Sequence, residues 1–310
     1  MSQALEGIQF PINSTNNKPS TSKTGQAILS EALSTVDHKT SQQVLSEKNW
    51  RKKYPIYFKA LVENGIRNQE NPIEIAQAGL NKAHHSFEFY RDGQKCNLAE
   101  MMSLEAQPLY SVKLQGESEA KPEWYVPYHG QNLRGQALLD QIQTWEDAGI
   151  IESSHAEALR TVHAHPEWFD LSDRTMVLFG AASEAGPLTW LSQWKANIIA
   201  LDLPNPRVWD KILTTIKKGN ATLIAPCVEQ LDSNVSIDTL KEKLGANLLT
   251  QTPEIAQWLS QQDQTLDFVA FGTFLKQFLA VYVVVFMFFD YRFVQKARKK
   301  VLQIPKFEVG

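Results

Sequence analysis

The sequence predicts an α/β protein, with a doubly wound parallel sheet in its C-terminal half and a mainly helical region before it. Three observations carry this. From Asp170 onward, short apolar runs alternate with helical runs at the spacing of β–α units. Before that point apolar residues recur mostly three and four apart, the period of a helix face. The chain has 310 residues, 43% hydrophobic and 21% charged, enough for about two domains with cores of their own.

Taken in order, residues 1–28 are expected to be a flexible arm. Between about 10 and 28 the chain is rich in Ser, Thr, Asn and Lys and has little apolar surface to offset its entropy. Residues 29–168 form the mainly helical region. Ala27, Ile28, Ala32, Leu33 and Val36 share one helical face, and Ile56, Phe58, Leu61, Val62 and Ile66 follow the same rule. Ile73–Leu80 continues the pattern after a break at Asn71-Pro72. LYSVKLQG (109–116) alternates like a strand, and the two prolines of PEWYVPYHG (122–130) indicate a loop or edge strand. Leu133, Leu138, Leu139, Ile142 and Trp145 return to a helix face. Gly149 suits a helix end, and Ser153 or Ser154 can cap the next helix, which stops near His165-Pro166.

The seam falls near 168, and residues 169–275 form the α/β domain. Strands are expected at Met176–Phe179, Asn197–Leu201, Ala221–Ala225 and Ala246–Leu249. Helices are expected at Pro187–Trp194, Val208–Lys217, Ser236–Leu244 and Pro253–Gln262. Lys217 and Lys218 in a last turn, with Gly219 after them, complement a helix C-terminus.

Composition excludes several classes. Lys and Arg number 31 against 34 Asp and Glu, a net charge of −3, so no global signal points to nucleic acid. Two cysteines, Cys96 and Cys227, cannot build a disulfide scaffold or a cysteine zinc site. The first twenty residues lack the basic start, apolar stretch and cleavage site of a secretory signal, so a cytoplasmic setting is expected. His155 and His163 lie eight apart, but His165 falls off their face and no cysteine is near, so no metal site is expected.

One segment carries chemistry: MVLFGAASEAGPLTWLSQWKANIIALD, residues 176–202. A buried strand runs into Gly180, which permits a tight turn. Ala181, Ala182 and Ser183 are small enough for the backbone to approach a ligand, and Gly186 allows close packing of the next helix. That helix would offer free N–H groups and partial positive charge, with Pro187 at its start. Asp202, 22 positions after Gly180, ends the second strand, where its carboxylate can accept from both hydroxyls of a ribose.

These residues resemble the nucleotide-binding half of the short-chain dehydrogenase/reductase superfamily, whose fingerprint is TGxxxGxG. Residues 179–186 read FGAASEAG, with Phe179 in place of Thr and Glu184 in place of the middle Gly, and the likeness covers about 173–230. It implies a Rossmann-like fold binding NAD or NADP through Gly180, Ala181, Ala182, Ser183, Gly186 and Asp202. Asp202 favours NAD, because a carboxylate repels a 2′-phosphate; Arg207, five residues on, is the group such a phosphate would need. The superfamily's YxxxK pair is absent: Tyr282 is followed four later by Phe286, and Tyr291 by Gln295. The implied function is therefore NAD(P) binding or an atypical oxidoreductase. The same outline is similar to the VLELGxGxG loop of S-adenosylmethionine-dependent methyltransferases, whose ligand carries no phosphate to oppose Glu184. A non-catalytic, membrane-associated scaffold is the third reading.

The last stretch, 276–310, is an apolar segment with a basic tail. Residues 278–289 (FLAVYVVVFMFF) are wholly apolar, and Arg292, Lys296, Arg298, Lys299, Lys300 and Lys306 follow. Membrane contact through 268–300 is expected, as a span or as a segment lying on an anionic leaflet, unless Val281–Val285 instead forms a buried strand.

Overall fold

The computed structural model describes residues 5–13, 18–184, 186–232, 235–262 and 266–270. The chain divides into two compact units, Met1–Gln107 with Leu249–Gln257, and Pro108–Leu248 with Trp258–Phe274. The division at Pro108, not near 168, has a simple cause: the alternating strand 109–116 belongs to the second unit's sheet.

In the first unit, strand β1 (Gly7–Gln9) joins a small sheet, and the two-residue strands β2 (Ile12–Asn13) and β3 (Lys18–Pro19) pair with each other. Helices α1 (Thr21–Ser34), α2 (His38–Ser46), α3 (Trp50–Gly65) and α4 (Asn71–Ser86) follow. Ser20 caps α1 by accepting from the Lys23 amide, and Asp37 caps α2 by accepting from Thr40. The expected flexible arm thus gives way to strands and the start of α1. Gln26, one of its polar residues, finds partners distant in sequence, its Nε2 donating to the carbonyls of Val44 and Glu47 at 2.9 and 2.7 Å. Leu29, Leu33, Val44 and Tyr57 form the core between the helices.

Strands β4 (Glu88–Arg91) and β5 (Gln94–Asn97) form a hairpin beside β1, which the helical reading of this region misses. Its turn is Asp92-Gly93, both at positive φ, the two-residue hairpin signature. Helix α5 (Leu98–Met101) starts from a capping box between Asn97 and Glu100. Ile8, Phe87, Phe89, Leu98 and Met101 pack together beneath it. Arg91 and Glu254 form a bidentate pair at 2.9 and 3.1 Å, with the Glu254 side chain only 4% exposed.

The second unit begins with β6 (Tyr110–Gln115), as its alternation predicts. The hairpin β7 (Val126–Tyr128) and β8 (Gln131–Leu133) and helices α6 (Gly135–Asp147) and α7 (Ser153–Ala164) come next. Leu138, Ile142 and Ala156 close the α6–α7 contact. Glu152, without a side-chain bond, stands at the N-cap where a serine is expected. Then come β9 (Thr175–Phe179), α8 (Leu188–Leu191), β10 (Asn197–Leu201), α9 (Pro206–Lys217), β11 (Thr222–Cys227), α10 (Ile237–Lys243) and β12 (Leu266–Ala270), while α11 (Thr252–Ser260), which precedes β12 in the chain, belongs to the first unit as far as Gln257.

The sheet order is β12-β9-β10-β11-β6, with the first four strands parallel and β6 antiparallel at the edge. It is buried on both faces. Leu178, Ile198, Ala200, Leu223 and Ala225 face α8, α9 and α10, whereas Val177, Phe179, Ile199 and Leu201 are buried outside that cluster. Trp258 of α11 donates to Ser111 Oγ of β6 at 2.9 Å. Two expectations change. Ala246–Leu249 is not a strand, because Gly245 turns the chain and the Ala246 amide bonds the Asp202 carbonyl. The fourth parallel strand is β12. Its last three residues open the 268–300 stretch expected to meet a membrane; everything beyond Ala270, including Tyr282, Tyr291 and the apolar run, lies outside the described residues. Among the described residues, no helix is long and apolar enough to cross a membrane.

Candidate functional site

The β9–β10 register pairs Phe179 with Leu201, so Gly180 and Asp202 are the first residues past the paired strands. Gly180 turns away at φ +71, a left-handed conformation that an L side chain resists. Its amide donates to the Leu201 carbonyl at 2.8 Å, and the Ala181 amide leans on the same oxygen at 3.4 Å. The Ala182 amide donates to Asp202 Oδ2 at 2.9 Å, while Asp202 Oδ1 accepts from the Leu203 amide at 2.8 Å. Two tight turns complete the loop: Ser183 N to Gly180 O at 2.9 Å, and Gly186 N to Ser183 O at 3.1 Å.

All six residues that the sequence singles out are thus brought together at the carboxyl ends of β9 and β10. Their roles differ from expectation. The amides of Gly180, Ala181, Ala182, Ser183 and Gly186 have acceptors within the chain, so they do not form an open anion cradle. The helix expected over Pro187–Trp194 is the four-residue α8, too short for a strong N-terminal dipole. Asp202 is first a clasp that fastens the loop to β10. A carboxylate has about four lone-pair directions, and two backbone bonds leave room for further donors. Glu184 is exposed.

Sequence reasoning misses Lys211. Its Nζ donates to the Ala182 carbonyl at 2.8 Å, which sets a cation against the loop. The signal was present: Lys211 is one turn after Arg207, opposite the Trp209, Ile212, Leu213 and Ile216 face that α9 buries. Arg207 itself is exposed in the first turn of α9, whose N-cap is Asn205. Ala182 therefore has a carboxylate on its amide and a lysine on its carbonyl.

The other candidates carry less. Among the described residues no group of His, Cys, Asp and Glu could hold a metal ion. His165 instead stacks on Trp168 and bonds Glu167. Cys227 is buried against the Lys243 carbonyl. Burial and the neighbouring Glu100 push the Cys96 thiol up, away from a reactive thiolate. In the first unit an open cleft of about 630 Å³ is lined partly by Lys23, Lys82, His85 and Lys95. Lys95 is already paired with Glu88, and Glu100 already accepts from the Asn97 amide.

No family profile, no curated protein and no solved structure matches this chain.

Proposed function

We propose that the second unit is a Rossmann-like domain that binds a nicotinamide dinucleotide, NAD in preference to NADP, where β9 and β10 end. The observation that carries this reading is the clasp: a left-handed glycine turn off a central parallel strand, held by an acid at the tip of its neighbour. The strand order supports it. Counting parallel strands from β9, the order is 4-1-2-3, that of one three-stranded mononucleotide-binding half with a fourth strand added beside β9, where the direction switches. Asp202 would accept from the adenosine ribose through its remaining lone pairs. With the loop amides engaged, the charge that meets the pyrophosphate would come from Lys211 and Arg207. The sequence holds no Tyr-x-x-x-Lys pair, so the proposal is one of cofactor binding, with oxidoreductase chemistry as its extension.

S-adenosylmethionine is the second reading, favoured by the exposed Glu184 and the short α8, both better suited to a ligand without phosphate. Saturation-transfer NMR on the whole chain with NAD, NADP and S-adenosylmethionine separates the readings. Signal from the adenine protons of NAD, weakened in Asp202→Ala and Lys211→Gln, is expected. A folded protein giving signal from none of the three would leave the scaffold reading in its place.

A further inference from the structure

Helix α3 presents an unusual surface. Tyr54, Phe58 and Val62 are spaced four apart, and Ile66 follows at the helix end; all are between 45% and 79% exposed. The opposite side is spent on the core, through Tyr57 and Asn64. Large apolar groups scattered singly on a surface need no explanation, but a continuous stripe along one helix does. The stripe is also stiff, since Tyr54 meets Phe58 edge-on at 5.9 Å and packs on Trp50 at 6.3 Å.

Charge identifies what the stripe suits. Residues 47–67 carry Lys48, Arg51, Lys52, Lys53, Lys59 and Arg67 against only Glu47 and Glu63, within a chain whose net charge is −3. Glu47 is taken by Lys53 at 3.3 Å and Glu63 by Lys59 at 3.4 Å. Lys48, Arg51 and Lys52 make no ion pair among the described residues, whereas the charge of Arg67 acts on the Asp37 carboxylate. Helical spacing puts Arg51 on the stripe's own side of α3, with Lys52 and Lys59 at its edge. An anionic surface under the stripe attracts these three cations.

We infer that α3 seats the protein on an anionic lipid surface, with the Tyr54–Phe58–Val62–Ile66 stripe entering the headgroup region and the cations meeting the lipid charges. An exposed apolar stripe beside a cationic flank is the pattern of a helix lying in a membrane interface, not crossing it. This stands apart from the nucleotide reading and does not depend on it.

The test is co-sedimentation of the whole chain with phosphatidylcholine vesicles, with and without phosphatidylserine, at graded lipid concentration. Partitioning should be stronger on the anionic vesicles and fall with salt. Each cation removed should weaken it about fivefold, so Arg51→Gln with Lys52→Gln loses about 25-fold. Phe58→Asp with Val62→Asp should lower binding on both vesicle types. Both pairs are exposed, and a circular-dichroism melt checks that each variant is folded. If both double variants partition like the parent, any membrane binding comes from elsewhere in the chain and the inference falls. It falls equally if light scattering finds a dimer that Phe58→Asp with Val62→Asp splits while vesicle binding is unchanged.

Discussion

Replacing Asp202 by Ala removes two acceptors at once. Its oxygens take the Ala182 amide at 2.9 Å and the Leu203 amide at 2.8 Å. A hydrogen bond to a charged group contributes about 1.5–3 kcal/mol, and an abandoned buried donor costs a similar amount. The two amides are not equivalent. Leu203 is exposed, so water can replace its acceptor, whereas Ala182 is half-buried within the turn. One full bond and a fraction of the other give about 2–3 kcal/mol. For a unit of this size that is a fall in Tm of about 4–10 °C. Asp202→Asn keeps one acceptor oxygen and should lose about half as much. Thermal unfolding followed by tryptophan fluorescence reports it, because Trp209 is buried in the second unit and donates to the Leu203 carbonyl beside the clasp. A melt of Asp202→Ala within about a degree of the parent would refute the clasp. Ligand binding is a separate measurement: NAD affinity should drop by about 1–3 kcal/mol in the same variant. A destabilised variant with unchanged NAD affinity would keep the clasp and remove the ribose contact.

Arg91→Met should cost about 3–5 kcal/mol, because it leaves the Glu254 carboxylate buried without its partner. Arg91→Met with Glu254→Met should recover much of that in urea titrations, and equal losses in the single and double variants would contradict it. Gly219→Ala would place a Cβ 2.0 Å from the Ser192 carbonyl, which is backbone and cannot swing aside. A loss of about 1–3 kcal/mol or more is expected, read as a lower urea midpoint. Asp170 is held well below the usual carboxylate range, to about 2, chiefly by the Lys195 ammonium at 2.7 Å and then by Ser172. Its folded pKa is depressed, so its contribution is present above about pH 4 and fades as pH falls toward 2. The gap in Tm between parent and Asp170→Asn should therefore narrow over that range, only modestly for a group this exposed; a constant gap would disprove the linkage.

Much of the second unit is legible in the sequence because its signals are local. Buried parallel strands read as continuous apolar runs, so β9, β10 and β11 are found within one or two residues. The position of Gly180 at a turn and Asp202 at a strand tip follows from the same runs. The hairpin β4–β5 has its local signal in Asp92-Gly93, which the helical periodicity on either side outweighs.

What the sequence could determine by itself is the order of the elements and the residues that meet past the ends of neighbouring strands, since these depend on periodicity and on turn chemistry only a few residues long. Tertiary structure decided the rest. The edge place of β6 depends on pairing with β11, more than a hundred residues later. The division at Pro108 follows from that pairing. Whether the amides of Gly180, Ala181 and Ala182 were open or taken depended on where the Leu201 carbonyl and the Asp202 side chain lay across the neighbouring strand, a matter of packing that no local pattern encodes.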